Sequence, residues 1–333
     1  MRAAHARARG GAGRGGRPRG RARRGAGGSV SAPSLEARIA ALKRERRAVI
    51  LAHNYQLGEV QDAADIVGDS LELSRRAAAS PAEVIVFCGV HFMAETAALL
   101  APGKTVLLPV LDADCPMARM ADAAGVRRLK AEHPGAITVG YVNTTAEVKA
   151  ECDICCTSAN AEAVIAALPR DRPILFLPDQ YLGAWVRART GREMVLWPGY
   201  CPTHARILAQ HVLARREQHP GAPVIVHPEC RPEVTALADA VLSTGGMVRF
   251  ARETPAREVL VGTEIGLLHR LRRENPGKLF IPVTEQAICP NMKKIELEHV
   301  LQALESMEHR ITVPEEIRVR AVASVERMVA AAA

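Results

Sequence analysis

Three Cys-Pro pairs recur along this chain at almost equal intervals. They are Cys115-Pro116, Cys201-Pro202 and Cys289-Pro290, spaced by 86 and 88 residues, and each follows an apolar run typical of a β-strand. If the three segments are copies of one unit around a pseudo-threefold axis, their thiols can meet at one point. Three converging thiolates without a fourth predict a metal or iron–sulfur site that keeps one position open for substrate.

The repeat extends well beyond the cysteines. Each unit opens with a strand pattern, continues through a helix and a short hydroxyl-bearing segment, and then gives a second strand, another helix and a third strand ending at Cys-Pro. The opening strands are predicted at 48–55, 136–143 and 223–229, and the second strands at 83–90, 173–180 and 258–265.

Strands that alternate with helices in this way are typical of βαβ units on parallel sheets. Continuous Val, Ile and Leu runs also fit strands that are buried on both faces. We therefore predict an α/β protein of three pseudo-symmetric three-layer α/β/α domains with small parallel sheets, related by an approximate threefold repeat. The active site should lie at their common centre, because ligands in open α/β sheets bind at the carboxyl ends of the strands.

The predicted boundaries follow the repeat. An Arg- and Gly-rich tail precedes three α/β units, and a C-terminal helix follows them. The ranges are 1–33 for the tail, 34–130, 131–217 and 218–308 for the repeats, and 309–333 for the C-terminal part. Helices are expected near 34–46, 293–308 and 314–331.

The formal net charge of +8 comes from the first 35 residues, which hold nine arginines and no acidic residue. A segment so poor in large apolar residues cannot form a core and is expected to be disordered. Because the remaining chain is nearly neutral, no nucleic-acid partner is expected for the folded body. The tail could be an RGG-like RNA-binding arm or a transit peptide. We favour a dispensable extension or an upstream start codon.

Apolar stretches in this sequence are too short to cross a bilayer, and no signal-peptide pattern is visible. A cytoplasmic protein without a membrane partner is therefore expected. Its eight cysteines should be reduced thiols or metal ligands rather than a disulfide framework. Cys88 and Cys230 are interpreted as small buried hydrophobic residues. Cys152 and Cys155 form a C-x-x-C that could be a zinc half-site or a redox pair, although packing is favoured for them and for Cys156.

The end of the first strand in every repeat carries two polar residues two positions apart. Side chains at i and i+2 lie on the same side of an extended segment. Three such pairs in register predict a shared site. The pairs are His53 and Tyr55, Tyr141 and Asn143, and His227 and Glu229.

Hydroxyls follow the same repeat at Ser70, Ser158 and Thr244, each before a predicted helix. Hydroxyls and free backbone N–H groups at helix N-termini hold anions. Taken singly, each is better explained as an N-cap, and both roles can hold at once. His204 lies three residues past Cys201, so the two could supply a zinc pair. Beside an iron–sulfur centre, His204 would more naturally face the substrate.

Several ordered motifs now resemble one family. They are HNYQ (53–56), GDS (68–70), FMAETA (92–97), YVNTTAEVKA (141–150), TSANA (157–161), PGYCPTH (198–204), VHPEC (226–230), STGGM (243–247) and GTEIGLLHRL (262–271). From about residue 40 to 308 the chain is similar to the quinolinate synthases.

This resemblance implies a [4Fe–4S] cluster on Cys115, Cys201 and Cys289, whose fourth iron stays open as a Lewis acid. It implies condensation of iminoaspartate with dihydroxyacetone phosphate to quinolinate, the pyridine precursor of NAD, with loss of phosphate and water. An aspartate-oxidising enzyme is implied as a functional partner by the pathway alone.

The resemblance also assigns roles. Tyr55, His227 and Glu229 would carry proton transfers, and Tyr141 would complete the catalytic set by orienting substrate. The implied substrate-binding residues are His53, Ser70, Tyr141, Asn143, Ser158, His204, His227, Glu229 and Thr244. The Arg-rich tail, Cys88 and the thiols at 152–156 depart from the family pattern and leave thiol regulation open.

Two other hypotheses remain at this point. The first keeps the cluster but changes the substrate, as in a hydro-lyase of aconitase type. The second is a zinc-stabilised repeat scaffold with an Arg-rich RNA-binding arm. The nearly neutral body and the three polar pairs count against the scaffold.

Overall fold

The computed structural model of the protein describes residues 33–331. The predictions made for the Arg-rich tail lie outside these residues. Within them, twelve strands alternate with helices in the predicted βαβ manner. The strands are β1 (Ala48–His53), β2 (Ile66–Gly68), β3 (Val84–Cys88), β4 (Thr105–Leu107), β5 (Ile137–Tyr141), β6 (Ile154–Cys156), β7 (Ile174–Leu177), β8 (Met194–Leu196), β9 (Val224–Val226), β10 (Ala240–Val241), β11 (Glu258–Gly262) and β12 (Leu279–Pro282).

Fourteen α-helices lie among the described residues. They are α1 (Leu35–Glu45), α2 (Gly58–Ala63), α3 (Ser70–Ala79), α4 (His91–Leu100), α5 (Ala123–Glu132), α6 (Ala146–Lys149), α7 (Ala161–Ala167), α8 (Gln180–Thr190), α9 (Ala209–Gln218), α10 (Pro232–Thr235), α11 (Thr244–Glu253), α12 (Leu267–Glu274), α13 (Leu297–Ser306) and α14 (Glu315–Ala330). Short 3₁₀ helices span Met117–Arg119, His204–Arg206 and Met292–Lys294. Among residues 33–331, no helix is both long enough and apolar enough to cross a membrane.

The twelve strands form three four-stranded sheets with the same order. The orders are β2-β1-β3-β4, β6-β5-β7-β8 and β10-β9-β11-β12. Every pairing within them is parallel. The predicted fold class, three repeated α/β/α units with small parallel sheets, is confirmed. The exact boundaries between the units stay a prediction.

The central strands are buried on both faces, as their apolar runs predicted. Every residue of β3 and β5 is buried, and so is every residue of β7. Strands of this kind need helices on both sides of the sheet because neither face can be left in water. The core is therefore made of small aliphatic layers, which suits a chain with only 3% aromatic residues.

The last two helices tie the repeats together. α13 packs against α1 and β3 of the first unit, although it follows the third unit in the sequence. α14 packs against α4 of the first unit and against α6 and β6 of the second. The helices predicted near 34–46, 293–308 and 314–331 are thus present, and the last two connect different units.

Two details of the predicted repeat are wrong. Each sheet has a fourth strand, β2, β6 or β10, in the segment that was expected only to carry a hydroxyl. The last strand of each unit ends well before its Cys-Pro pair, at Leu107, Leu196 or Pro282. A loop then carries the cysteine away from the sheet. Strands of two or three residues leave too short a pattern for alternation or an apolar run to reveal.

Candidate active site

A cavity lies where the carboxyl ends of strands from all three sheets converge. All thirteen residues proposed for the site from the sequence line it. They are His53, Tyr55, Ser70, Cys115, Tyr141, Asn143, Ser158, Cys201, His204, His227, Glu229, Thr244 and Cys289. A cavity lined by a few converging polar side chains among apolar ones is typical of a small-molecule site. The convergence follows from the equal topology of the sheets, because each places the end of its first strand at the centre.

His53 and His227 occupy equivalent positions in the first and third repeats and make the same local contact. The backbone N–H of Tyr55 donates to Nδ1 of His53 at 3.2 Å, and that of Glu229 donates to Nδ1 of His227 at 3.3 Å. Burial lowers the pKa of both imidazoles to about 3. Each neutral ring therefore carries its proton on Nε2, where it can donate a hydrogen bond. His227 Nε2 lies 3.2 Å from Ser158 Oγ.

Glu229 is the hub of the buried polar network. Its Oε2 lies 2.8 Å from His204 Nδ1, and its Oε1 accepts a hydrogen bond from the Tyr141 hydroxyl. Burial would raise the pKa of this carboxyl, but nearby His204 and His227 and the bonds from His204 and Tyr141 hold it well below its usual value. The ionised carboxylate in turn raises the pKa of Tyr141, which burial raises already. Glu229, in the third repeat, therefore accepts hydrogen bonds from two residues of the second repeat.

The hydroxyls of Ser70 and Thr244 are not N-caps, so the prediction that each of them caps its helix is wrong. Asp69 caps α3 by accepting from Glu72 N at 2.9 Å, and Ser243 caps α11 by accepting from Gly246 N at 3.1 Å. Ser70 and Thr244 are instead the first residues inside these helices. Because Asp69 and Ser243 already cap these helices, the hydroxyls of Ser70 and Thr244, which lie at the cavity wall, are not needed as caps.

Asn143 has an unusual environment in the second repeat. Its Oδ1 is buried and has no hydrogen-bond partner within residues 33–331. A buried carbonyl without a partner costs roughly 1–3 kcal/mol. Since Asn143 also lines the cavity, a ligand with an N–H or O–H group would satisfy this atom.

The three Cys-Pro loops bring Cys115, Cys201 and Cys289 to the same cavity. Burial raises the pKa of Cys115 to about 12 and also raises the pKa values of the other two thiols. Each sulfur is approached by backbone N–H groups from the short turn that follows it, which act in the opposite direction. These N–H groups belong to Met117 and Ala118, to His204, and to Asn291 and Met292.

This donor set fits a thiolate-bound metal cluster. Buried thiols are neutral without a metal, whereas a bound cation removes their protons. Backbone N–H groups directed at sulfur are a common support for iron–sulfur ligands. The chemistry of the three loops is therefore compatible with a cluster that takes one ligand from each repeat.

Cys201, His204 and Glu229 form a second grouping with metal-ligand chemistry. One ligand atom from each lies within 4.8 Å of the others. This places the predicted Cys-x-x-His pair beside a carboxylate, a combination that zinc accepts. However, His204 Nδ1 and Glu229 Oε2 already pair with each other, so a single ion would have to displace that contact.

Several residues of this region were missed by the sequence analysis, among them Thr263, Glu264 and Lys293. Thr263 and Glu264 follow the end of β11, and Lys293 lies four residues past Cys289. Glu264 is fully buried, accepts from Cys289 N at 3.1 Å and pairs with Lys293 Nζ at 3.0 Å. The sequence feature that could have identified Glu264 is the one that identified the polar pairs, since Glu264 also follows the carboxyl end of a central strand.

The remaining five cysteines lie away from the cavity lining. They are Cys88, Cys152, Cys155, Cys156 and Cys230, all buried and unpaired. Burial raises the pKa of each thiol. They behave as small core residues, in agreement with the packing interpretation.

The family model described as quinolinate synthetase A protein matches residues 37–330. The chain belongs to the quinolinate synthetase A family. Quinolinate synthase of Dehalococcoides mccartyi (strain CBDB1) is 62% identical over 291 residues, which cover 87% of this chain and 96% of that protein.

More distant relatives extend this similarity. Quinolinate synthase of Desulforudis audaxviator is 57% identical over 89% of this chain and 98% of its own length. Quinolinate synthase 1 of Methanosarcina acetivorans is 54% identical over 88% of this chain and 96% of its own length. The resemblance seen in the motifs is confirmed, and with it the expectation that the chain is an enzyme.

Proposed function

We propose that this protein is a quinolinate synthase that condenses iminoaspartate with dihydroxyacetone phosphate, releasing phosphate and water. The observation that carries the proposal is the convergence of three thiols and three polar pairs on one cavity. The named relatives support the reaction, since their similarity spans nearly the whole described chain. The product would enter NAD biosynthesis, and an aspartate-oxidising enzyme would supply the iminoaspartate.

A [4Fe–4S] cluster on Cys115, Cys201 and Cys289 is the proposed cofactor. With three protein ligands, it would supply an iron with an open position, a Lewis acid for a carbonyl or a departing hydroxyl. The fit of the three loops to thiolate ligation supports this assignment. The chain's own residues bind the substrates and move protons around that position.

Both substrates are anionic, and the cavity offers neutral donors for them. Nε2–H of His53 and the hydroxyls of Ser70, Ser158 and Thr244 can bind carboxylate or phosphate oxygens. The two hydroxyls that open α3 and α11 stand beside free backbone N–H groups of the first helical turn. Asn143 Oδ1 is an acceptor and suits the N–H of iminoaspartate or a substrate hydroxyl.

Proton transfers fall to Glu229 and its partners. The ionised carboxylate orients His204 and the Tyr141 hydroxyl beside the cavity, and these partners would exchange protons with the substrates. His227 stacks on His204 with ring centroids 4.7 Å apart, which fixes both rings. Tyr55 and His227 would then donate to or accept from the oxygen and nitrogen atoms that change during dehydration and ring closure.

The test is metal analysis and product formation on the same anaerobic sample. We expect about four irons and four sulfides per chain, and quinolinate when iminoaspartate and dihydroxyacetone phosphate are supplied. A full cluster without quinolinate would move the proposal to a different substrate, such as that of a hydro-lyase.

A mononuclear metal site is the second candidate, favoured by the Cys201, His204 and Glu229 grouping. It predicts zinc without sulfide in protein kept from air. It also predicts that Cys115→Ser retains the metal while His204→Ala loses it. The cluster proposal predicts the opposite result for Cys115→Ser.

A further inference from the structure

Within residues 33–331, no lysine or arginine lines the cavity, although both proposed substrates are anionic. The cavity wall does contain carboxyl groups, those of Asp69, Glu229 and Glu264. A guanidinium or ammonium group can therefore act on a bound anion only from behind the wall. Arg270 of α12 lies in such a place, because a single side chain, that of Asn54, separates it from Thr244 in the wall.

Three acceptors hold the guanidinium of Arg270. Its Nε donates to Glu274 Oε1 at 2.7 Å, and its Nη1 donates to the Val67 carbonyl at 2.7 Å and to Asn54 Oδ1 at 2.9 Å. Only 13% of the Arg270 side chain is exposed. A guanidinium has donors and no acceptor, so the amide atom of Asn54 that faces it must be the oxygen.

Asn54 is fully buried, and its amide orientation determines what Thr244 can do. Because Oδ1 faces Arg270, Nδ2 faces α11 and donates to Thr244 Oγ1 at 2.9 Å. The Thr244 oxygen is thus an acceptor toward Asn54, and its single proton is left for another partner. Among the described residues the hydroxyl donates to no protein acceptor, and Thr244 lines the cavity. Its proton is therefore available to a ligand.

We propose that Asn54, fixed by Arg270, is a positioning residue that makes the Thr244 hydroxyl a hydrogen-bond donor to an anionic oxygen of the substrate. This inference rests on the proposed function, in which Thr244 binds a substrate. The guanidinium polarises the amide, and the amide polarises the hydroxyl, so the hydroxyl is a stronger donor than that of an isolated threonine.

The direction of this hydroxyl sets a chemical preference. A carboxylate or phosphate oxygen accepts from it, whereas an N–H group, which cannot accept, gains nothing there. The Asp69 carboxylate lies close by, since its Oδ2 is 2.5 Å from the place of a Cβ on Gly245. It would repel the same anion, and a donor of fixed direction offsets part of that repulsion. Carboxylate and phosphate both occur in the proposed substrates, so their binding has to be measured separately.

The main test is Asn54→Asp, which keeps the size of the side chain and replaces its NH₂ group by a second acceptor oxygen. The carboxylate still accepts from Arg270, but Thr244 now donates to it and turns a lone pair toward the cavity. The dissociation constants of succinate and of inorganic phosphate are measured by calorimetry on anaerobic, cluster-loaded protein. We expect at least one of them to rise about tenfold or more, the effect of losing a hydrogen bond to a charged group.

The anion that is weakened identifies the substrate group at Thr244. If neither dissociation constant changes, or if the unaltered protein binds neither anion, the proposal is overturned. Iron and sulfide content should equal that of the unaltered protein, because Asn54 does not contact the cysteine loops.

Asn54→Asp also adds a negative charge, and a double-mutant cycle with Thr244→Val separates the two effects. If the hydroxyl carries the effect, Asn54→Asp weakens anion binding much less in the Thr244→Val background than in the unaltered protein. An equal loss in both backgrounds would mean that the charge acts without Thr244, and the proposal would fail.

Arg270→Lys tests the other end of the chain without adding a negative charge. An ammonium group cannot reproduce the planar fork that holds Glu274, Val67 and Asn54 together. We expect KM for a substrate to rise several-fold, with a smaller change in kcat. Arg273, on the same helix, pairs with Asp62 at the surface, and Arg273→Lys should leave both constants unaltered. Equal effects of the two substitutions would overturn the proposal, even if Asn54→Asp does not fold.

The binding measurements separate this inference from the proposed function. Weaker anion binding in Asn54→Asp, together with no quinolinate from the unaltered protein, would overturn the function alone. Quinolinate formation with unchanged anion binding in Asn54→Asp would overturn this inference alone.

Discussion

Two groups of cysteines in this protein carry the same thiol group but differ in their position and in their surroundings. Cys115, Cys201 and Cys289 lie on loops at the cavity, outside any strand, with backbone N–H groups directed at their sulfurs. Cys155 and Cys156 lie within β6, fully buried, and Cys152 lies just before it. The comparison teaches that loop geometry and convergence, rather than the number of thiols or a C-x-x-C spacing, mark the candidate ligands.

The largest effect is expected when the loop thiols are changed. Cys115→Ser, Cys201→Ser and Cys289→Ser should each abolish cluster assembly and quinolinate formation, because an alcohol does not replace a thiolate ligand. Iron and sulfide analysis checks this. The matched control is Cys88→Ser, which buries a hydroxyl in β3 and should cost about 1–3 kcal/mol of stability while keeping the full cluster. Retention of a full cluster in any of the three would contradict the ligand assignment.

The buried pair that supports the Cys289 loop gives the next largest effect. Lys293→Ala leaves the fully buried Glu264 carboxylate without its cation and removes a bond to the Tyr55 carbonyl. We expect a loss of about 3–5 kcal/mol in the free energy of unfolding, measured by denaturant titration.

The neighbouring lysine provides the control for this prediction. Lys294 pairs with Asp112, which is largely exposed, at 2.9 Å. Lys294→Ala should therefore cost no more than about 1 kcal/mol. Equal losses for the two lysines would show that the buried pair does not hold the loop.

On the β6 side, the sharpest test is steric. A Cβ at Gly140 of β5 would lie 2.6 Å from Cys152 Sγ and 3.7 Å from Cys155 Sγ. Gly140→Ala should therefore destabilise the protein by about 1–3 kcal/mol through overpacking. The double variant Gly140→Ala with Cys152→Gly should recover much of this loss. Absence of recovery would mean that the strain lies in the backbone of β5 rather than against the thiol.

The smallest expected effect concerns pH. Burial would raise the pKa of Glu151, but Arg320 and Arg127 bind it and lower the pKa below 4.5. A carboxyl with a lowered folded-state pKa contributes stability above its unfolded pKa, and loses it as the pH falls through the folded value. Glu151→Gln should therefore be less stable than the parent near neutral pH, and the difference should shrink on acidification below about pH 4.5. A difference that is independent of pH would contradict this role.

Several residues show how much of the site could be predicted from the sequence. The polar pairs were found because a strand end and an i, i+2 spacing are local properties. Glu264 also follows a strand end, but it was not part of a pair that recurs in all three repeats, so no pattern in the sequence identified it. Ser70 and Thr244 were expected to serve as N-caps, but Asp69 and Ser243, one residue earlier, have this role. The residue types near a helix boundary do not define the first residue of the helix to within one position.

The sequence by itself determined the threefold α/β repeat, the strand-end pairs and the position of one cysteine per unit. Each of these depends on hydrophobic periodicity or on spacing along the chain. Only the tertiary structure decided that α13 packs on the first sheet and that Glu229 of the third repeat binds two residues of the second. Such contacts join residues that are far apart in the chain, so no local pattern in the sequence reveals them.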